Sequence, residues 1–263
     1  MQTKCSDISA ELESWYLREN GRYLLDATRR ALARRLDTTF GYHILQLSPL
    51  YDATLCEASP IHHRIHCGEV RSNCVDLMAS AQALPLESDS VDAIVAHHSL
   101  EFAVNPHAVL REIQRVLTPQ GRLLIVGFNP HSLHGGYTAV RGWLRSPLWS
   151  EHRAVSEGRL TDWLHLLGCE VQEVVRLYGV PPIGRGRVRR SLVRMDQWAG
   201  RHNLPGSGLY LLNATKQVAG LHRPRRRVYS RQRLIGLVPK PAAAPSSPAA
   251  QPNVQSKKNS TAA

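Results

Sequence analysis

Residues 83–128 read ALPLESDSVDAIVAHHSLEFAVNPHAVLREIQRVLTPQGRLLIVGF, and the changes of period inside this stretch decide the fold. VDAIVAH (91–97) and RLLIVGF (122–128) are short apolar runs of the kind that form buried strands. Between them the period changes. Asn105 is placed to cap a helix, Pro106 suits the first helical position, and Leu110, Ile113 and Leu117 recur on one face. Strands joined by a helix of this length imply right-handed crossovers and a mostly parallel sheet covered on both faces.

Working outward, the same grammar continues. Upstream lie YHILQL (42–47), HHRIHC (62–67) and a short NCVDL (73–77), all strand-like. Downstream, EGRLTDWLHLLG starts a helix near 157 that stops at Gly168, and the strand CEVQEVVRLYG follows it. One last strand, LYLLNATKQ (209–217), comes after a long excursion in place of a compact crossover, which suits an antiparallel strand. At the N-terminus, Gly21 interrupts the pattern, after which RYLLDATRRALARRL sets Leu24, Thr28, Leu32 and Leu36 on one stripe with arginines opposite. The expected organisation is an N-terminal helical cap over 1–40, an α/β domain over 41–217 and a basic tail over 218–263.

Composition narrows the function classes. A chain of 263 residues with 43% hydrophobic content can bury the core of one substantial domain. No apolar run approaches the roughly 18 residues that span a bilayer, and the first 20 residues lack a basic start followed by an apolar stretch. Cys5, Cys56, Cys67, Cys74 and Cys169 are scattered without a C-x-x-C, so neither a disulfide framework nor a zinc site is announced. These features lead us to expect a soluble, cytoplasmic protein.

The net charge of +12 is unevenly placed. Residues 1–184 hold 17 Lys and Arg against 20 Asp and Glu, whereas residues 216–263 hold ten Lys and Arg and no acid. The basicity therefore belongs to late segments, and the Arg-rich region 185–233 is where nucleic acid or another anionic surface would be met. Within it, GRGRVRRSLVRMDQWAG (184–200) sets Val188, Leu192, Met195 and Ala199 on one helical face and Arg187, Arg190 and Arg194 on the other. Such a helix touches an anionic substrate or membrane surface, or simply covers the sheet with a solvated face. Beyond 233 the chain is low-complexity Pro/Ala/Ser sequence, which buries too little apolar surface to fold alone.

The elements Leu84-Pro85-Leu86, Asp89-Ser90-Val91-Asp92, Asn105-Pro106, Arg115-Val116-Leu117 and Pro119-Gln120-Gly121 stand in the order found in the type 11 group of class I S-adenosylmethionine-dependent methyltransferases, and the chain resembles that family. The resemblance implies a Rossmann-like α/β fold, with a seven-stranded, mostly parallel sheet and an antiparallel last strand. It implies S-adenosyl-L-methionine as cofactor and, because the group acts mainly on small molecules, a small-molecule substrate.

The cofactor loop departs from the family pattern. An acidic residue and a G-x-G loop normally follow the first strand, since glycine lets the backbone approach the ligand closely. Here the stretch is Gln46-Leu47-Ser48-Pro49-Leu50-Tyr51-Asp52, and Pro49 lacks an N–H and fixes its φ. The acid expected four residues before the Leu-Pro pair is Ser80, and little more than YDATLCEAS remains for the first crossover helix. By position, the cofactor contacts expected from the resemblance are Leu47, Ser48, Glu69, Ser80, Ala81 and His97, with Glu69 placed to reach ribose hydroxyls.

His97 and His98 end the strand where the family presents groups to its substrate. Alternation sends their rings in opposite directions. His98 is the candidate to accept a proton from an attacking nucleophile, and a structural, hydrogen-bonded histidine is the alternative. His62, His63, His66 and Cys67 lie on a strand without a second ligand cluster, so no metal site is expected. Asp76 and Asp92, at strand ends, are expected to hold loops. Tyr137, Trp143 and Trp149 fall in an insertion placed to lie over a pocket mouth. The competing functional reading is a catalytically inactive module on the methyltransferase fold, with a basic tail that contacts RNA or another polyanion.

Overall fold

A computed structural model describes residues 2–132, 135, 152–180, 186–204 and 206–217, with residues 2–6 as backbone only. Most of the insertion carrying Tyr137, Trp143 and Trp149, and the basic tail 218–263, lie outside the described residues. The elements in chain order are α1 (Gln2–Tyr16), α2 (Glu19–Leu36), β1 (His43–Leu47), β2 (His63–Gly68), β3 (Leu77–Met78), β4 (Val91–His97), α3 (Pro106–Val116), β5 (Leu117–Phe128), α4 (Glu157–Leu166), β6 (Cys169–Leu177), α5 (Gly186–Arg201) and β7 (Leu209–Lys216).

The seven strands form one sheet in the order β3-β2-β1-β4-β5-β7-β6. Strands β1 to β5 pair in parallel, and β7 runs antiparallel to both β5 and β6. The fold is the seven-stranded Rossmann-like α/β arrangement with an antiparallel last strand. The third strand is displaced from its expected place. Residues 73–76 form a turn, and only Leu77 and Met78 pair with β2.

Strand alternation splits the core in two. Leu45 and Leu47 of β1, Ile94 and Ala96 of β4, and Leu123 and Ile125 of β5 face α3 and α4 through Ile113, Val116, Leu160 and Leu164. Ile44, Val95, Leu124, Val126 and Phe128 point to the other face, where Leu12 of α1 and Leu24, Leu32 and Leu36 of α2 cover them. No helix forms between β1 and β2. Its place on the sheet belongs to α1 and α2, helped by Leu50, Leu55 and Ile61 of the connecting loop.

Two local devices make this substitution possible. Gly21 lies inside α2, and a Cβ there would sit 2.4 Å from the carbonyl oxygen of Trp15, so glycine permits the tight reversal at Leu17–Arg18. Gln46 points from β1 into the covered face, where its Nε2 donates to Ala53 O at 2.6 Å and its Oε1 accepts from Leu55 N at 2.9 Å. One side chain thus satisfies the backbone of a loop that has no secondary structure to do so.

The sequence elements of 83–128 are bound to one another. Asn105 accepts from Ala108 N at 3.2 Å and caps α3. Arg115 near the end of α3 donates to Leu84 O at 3.0 Å and Leu86 O at 2.9 Å, and pairs with Glu112 at 2.8 Å. Glu112 in turn accepts from Leu84 N at 3.1 Å. Asp92 accepts from Tyr42 N and His43 N, and Asp76 from His66 N, so both hold loops.

Helix α5 packs through only one edge of its apolar face. Asp196 and Ala199 are buried, whereas Val188 and Met195 are exposed. Polar anchors set the roll of the helix: Asp196 accepts from Tyr23 OH at 2.7 Å and Val180 N at 3.1 Å, and Arg189 pairs with Glu19 at 2.9 Å.

Because the helical pair replaces a crossover helix, its core contacts should carry global stability. Leu32→Ala should lower the unfolding free energy by about 2–5 kcal/mol, read as a shifted urea midpoint without a change in slope.

Candidate functional site

The strand order reverses between β1 and β4, and ligands of open α/β sheets bind outside the carboxyl ends of the strands at such a point. A cavity of about 400 Å³ lies there, within the range of about 300–1,000 Å³ typical of small-molecule sites. Leu47, Ser48, Pro49 and Tyr51 line it from β1, Glu69 from β2, Ala79 to Gln82 from β3, and His98, Ser99 and Phe102 from β4. Ile8 and Ser9 of α1 close it from above the sheet face.

The glycine-free loop is explained by its backbone. The non-glycine residues with positive φ among those described are Asp89, His98, Gln120, Tyr178 and Asn203. None lies in 48–52, so this turn uses conformations open to any residue. Ser48 Oγ accepts from Leu50 N at 3.1 Å and shares a hydrogen bond of 3.0 Å with His97 Nδ1. Tyr51 folds over the end of β2, where a Cβ on Gly68 would meet its ring at 2.4 Å. Its hydroxyl accepts from Glu69 N at 3.3 Å. The glycine that close approach demands has therefore moved from the first strand's loop to the second strand's end.

Glu69 and Ser80 meet at the cavity, with Ser80 Oγ donating to Glu69 Oε1 at 2.8 Å. Two further hydroxyls, Ser9 Oγ and Ser99 Oγ, are buried at the cavity wall without a hydrogen-bond partner among the described residues. Buried polar groups without partners are costly, and in a cavity wall they mark positions for ligand atoms. The lining is thus mixed: apolar surface from Leu47, Ala79, Ala81 and Phe102, a carboxylate on one side and spare hydroxyls on the other.

Beside the cavity runs a buried polar chain. Tyr16 OH and His98 Nε2 are 2.7 Å apart, and His98 Nδ1 lies 2.7 Å from Glu101 Oε2. Glu101 Oε1 also accepts from Phe128 N, and His152 Nε2 lies 3.5 Å from Oε2. A carboxylate can only accept, so His98 Nδ1 carries the proton and Nε2 accepts from the tyrosine. Burial alone would raise the Glu101 carboxyl, but attraction to the His98 imidazole and the hydrogen bonds from His152 and His98 take it down to about 2. Burial pushes the Tyr16 hydroxyl well above its ordinary value, so it stays protonated. His98 has a φ of 53°, an uncommon conformation for a non-glycine residue. Stacking on Phe128, with centroids 4.3 Å apart, and its two hydrogen bonds hold it there.

Six of the seven candidate residues, Leu47, Ser48, Glu69, Ser80, Ala81 and His98, line the one cavity. His97 does not reach it. It is fully buried behind Ser48, and its Nε2 finds no hydrogen-bond partner among the described residues. Sequence reasoning missed Tyr16, Glu101, Ser9 and Ser99. Glu101 had a signal, an acid three residues after His98 in an otherwise apolar stretch, whereas nothing near Tyr16 announces that α1 reaches the site. Among the described residues no group of three His, Cys, Asp or Glu side chains is gathered for a metal ion.

Residues 41–125 match the sequence profile of a family described as "Methyltransferase domain". This stretch is similar to the methyltransferase domains of the type 11 group. The chain is 34% identical over 157 residues to "Uncharacterized protein YafS" of Escherichia coli, an alignment covering 58% of this chain and 65% of that one. It is 29% identical over 140 residues to demethylmenaquinone methyltransferase of Mycobacterium tuberculosis, covering 51% and 60%. The chain therefore spans less than two thirds of the length of these relatives. In fold it is similar to the crystal structure of an S-adenosylmethionine-dependent methyltransferase from Thermotoga maritima, possibly a histamine N-methyltransferase, with a TM-score of 0.58, 19% identity and coverage of 82% of this chain and all of that one.

His97 gives the protein an acid limb. Burial first, and then the electrostatic influence of His98, Arg29 and His66, hold its imidazole well below the ordinary value of 6.5. The unfolded chain therefore binds a proton that the native state refuses, and stability falls as pH drops below about 6.5. His97→Asn, which keeps an acceptor for Ser48, should flatten the fall of the thermal midpoint between pH 6.5 and 5.

Proposed function

We propose that the protein is an S-adenosylmethionine-dependent methyltransferase whose acceptor is a small molecule, with cofactor and acceptor sharing the cavity at the ends of β1, β2 and β4. The carrying observation is the convergence, in one cavity at the strand-order reversal, of Leu47, Ser48, Glu69, Ser80 and Ala81 with the spare hydroxyls of Ser9 and Ser99. These residues fit the cofactor's chemistry. Glu69 can accept from a diol, Ala81 and its neighbours offer an apolar slot with backbone donors beside it, and Leu47 supplies the floor.

The cofactor, when bound, supplies a methyl group already activated by its sulfonium. The chain's own work is then alignment and exclusion of water, which account for much of the rate in such transfers. Glu69, held by Ser80, fixes one end of the site. His98 is the candidate proton acceptor: Glu101 pins its tautomer so that Nε2 carries the lone pair, and that lone pair takes a substrate proton once the Tyr16 hydrogen bond is exchanged. His97 supports the site through Ser48 and acts as a positioning residue, in place of the cofactor contact that its place in the sequence suggested.

A small-molecule acceptor is supported by the relative named for demethylmenaquinone. The inactive-module reading rested on Ser48-Pro49 and Ser80 standing where ligand groups are expected. It loses its main support because the loop needs no positive φ and leaves a cavity open.

Titration calorimetry of the full chain with S-adenosylhomocysteine tests the proposal. Saturable one-to-one binding is the expected result, and no heat at millimolar ligand would sink it. Glu69→Ala should weaken that binding by roughly ten- to a hundredfold, the worth of hydrogen bonds to a charged group, with the thermal midpoint little changed.

A further inference from the structure

Helix α5 carries a surface that the methyl-transfer reading does not use. Its buried side is satisfied: Asp196 is held by Tyr23 and Val180, and Arg189 by Glu19. Its outward side is different. Val188 is 61% exposed, Met195 52% and Trp198 57%, and at about 100° per residue these three fall on one flank about 80° wide. Arg187, Arg190, Arg194 and Arg201 form the adjoining strip, all exposed and without an ion-pair partner among the described residues. The helix holds one acid, Asp196, and it is turned inward. Arg201 also lines, with Arg30 and Arg34 of α2, a depression of about 310 Å³ between the two helices.

We propose that this face of α5 docks on an anionic lipid bilayer. An apolar flank bordered by arginines suits a surface that is negative at the headgroups and apolar just beneath, with the side chains of Trp198 and Met195 entering the acyl boundary and the guanidinium groups staying at the phosphates. Phosphate groups alone, as on a nucleic acid, would engage the arginines but leave the apolar flank in water. The location adds a reason. The excursion holding α5 leaves β6 at Leu177 and enters β7 at Leu209, and Leu209 pairs with Phe128 at the carboxyl end of β5. The docking helix therefore belongs to the end of the sheet that carries the cavity. The inference stands apart from the methyl-transfer reading and is tested without any activity measurement.

The test is flotation of the full chain with large unilamellar vesicles of phosphatidylcholine alone or with phosphatidylglycerol added to about a third. The protein should float with the anionic vesicles, not with the neutral ones, and release as salt is raised. Val188→Ser/Met195→Ser/Trp198→Ser together should lower partitioning by tenfold or more while leaving the thermal midpoint unchanged, since all three side chains are exposed. Arg187→Gln/Arg190→Gln/Arg194→Gln should cost roughly fivefold per charge and abolish the preference for anionic lipid. Failure of the unaltered protein to float with anionic vesicles overturns the proposal. So does a serine variant that floats as well as the unaltered protein, which would move binding to the arginines of 222–233. Tight binding of a single-stranded RNA oligonucleotide that survives the serine substitutions, with no vesicle binding, would mark the surface as a nucleic-acid face and overturn it equally.

Discussion

A parallel sheet region such as β1 to β5 needs both faces covered, and the connection from β1 to β2 is too short to build a helix over its own strand. That constraint organises the molecule. The bare surface of Ile44, Val95, Leu124 and Val126 needs a cover, and α1 and α2 provide it. Once there, α1 brings Ser9 to the cavity wall and Tyr16 to the imidazole of His98. Helix α2 in turn offers Glu19 and Tyr23, which fix how α5 sits and so which of its residues meet solvent. Packing on one face thus decides both the shape of the site and the character of a distant surface.

The site's electrostatics follow from the same cover. Beneath α1, Glu101 is cut off from water, which ordinarily neutralises a carboxyl. It stays ionised because the Phe128 amide and the imidazoles of His98 and His152 surround it. Burying a charge this way contributes little net stability, since desolvation offsets the attraction. Its consequence is orientation. Glu101 sets the His98 tautomer, Tyr16 fills the remaining nitrogen, and a backbone in the left-handed region is held against its own preference. Strain kept in place by this many contacts at a cavity wall is a usual sign of a working site.

How much of this was legible follows from range. The strands and helices of 83–128 are written in local period, and the Leu84-Pro85-Leu86 and Arg115 elements recur together because Arg115 and Glu112 bind that turn directly. Long-range facts were less visible. The roll of α5 depends on Tyr23, about 170 residues upstream by the hydrogen bond it makes and beyond any windowed pattern, so nothing local showed that Asp196 is buried while Val188 and Met195 meet solvent. Tyr16 was invisible for the same reason. His97 was placed by its position at the end of β4, with alternation expected to part its ring from that of His98; the two ring centroids instead lie 4.2 Å apart, and the ring of His97 is fully buried behind Ser48.

The missing glycines carry the last step. Glycine in a cofactor loop answers two distinct needs, a positive φ and room for a close neighbour. Residues 48–52 have no positive φ, so the first need is absent. The second is present but displaced, because the bulky atom approaching the backbone here is the ring of Tyr51, and the residue that makes room for it is Gly68. A glycine signature is therefore evidence about where backbone and neighbour come close, and not about whether a ligand can bind. In this chain the loop has been rebuilt around a tyrosine whose hydroxyl accepts the Glu69 amide, and the carboxylate at the end of β2 is held toward the cavity by a contact that the glycine-rich version of the loop, lacking that side chain, has no atoms to make.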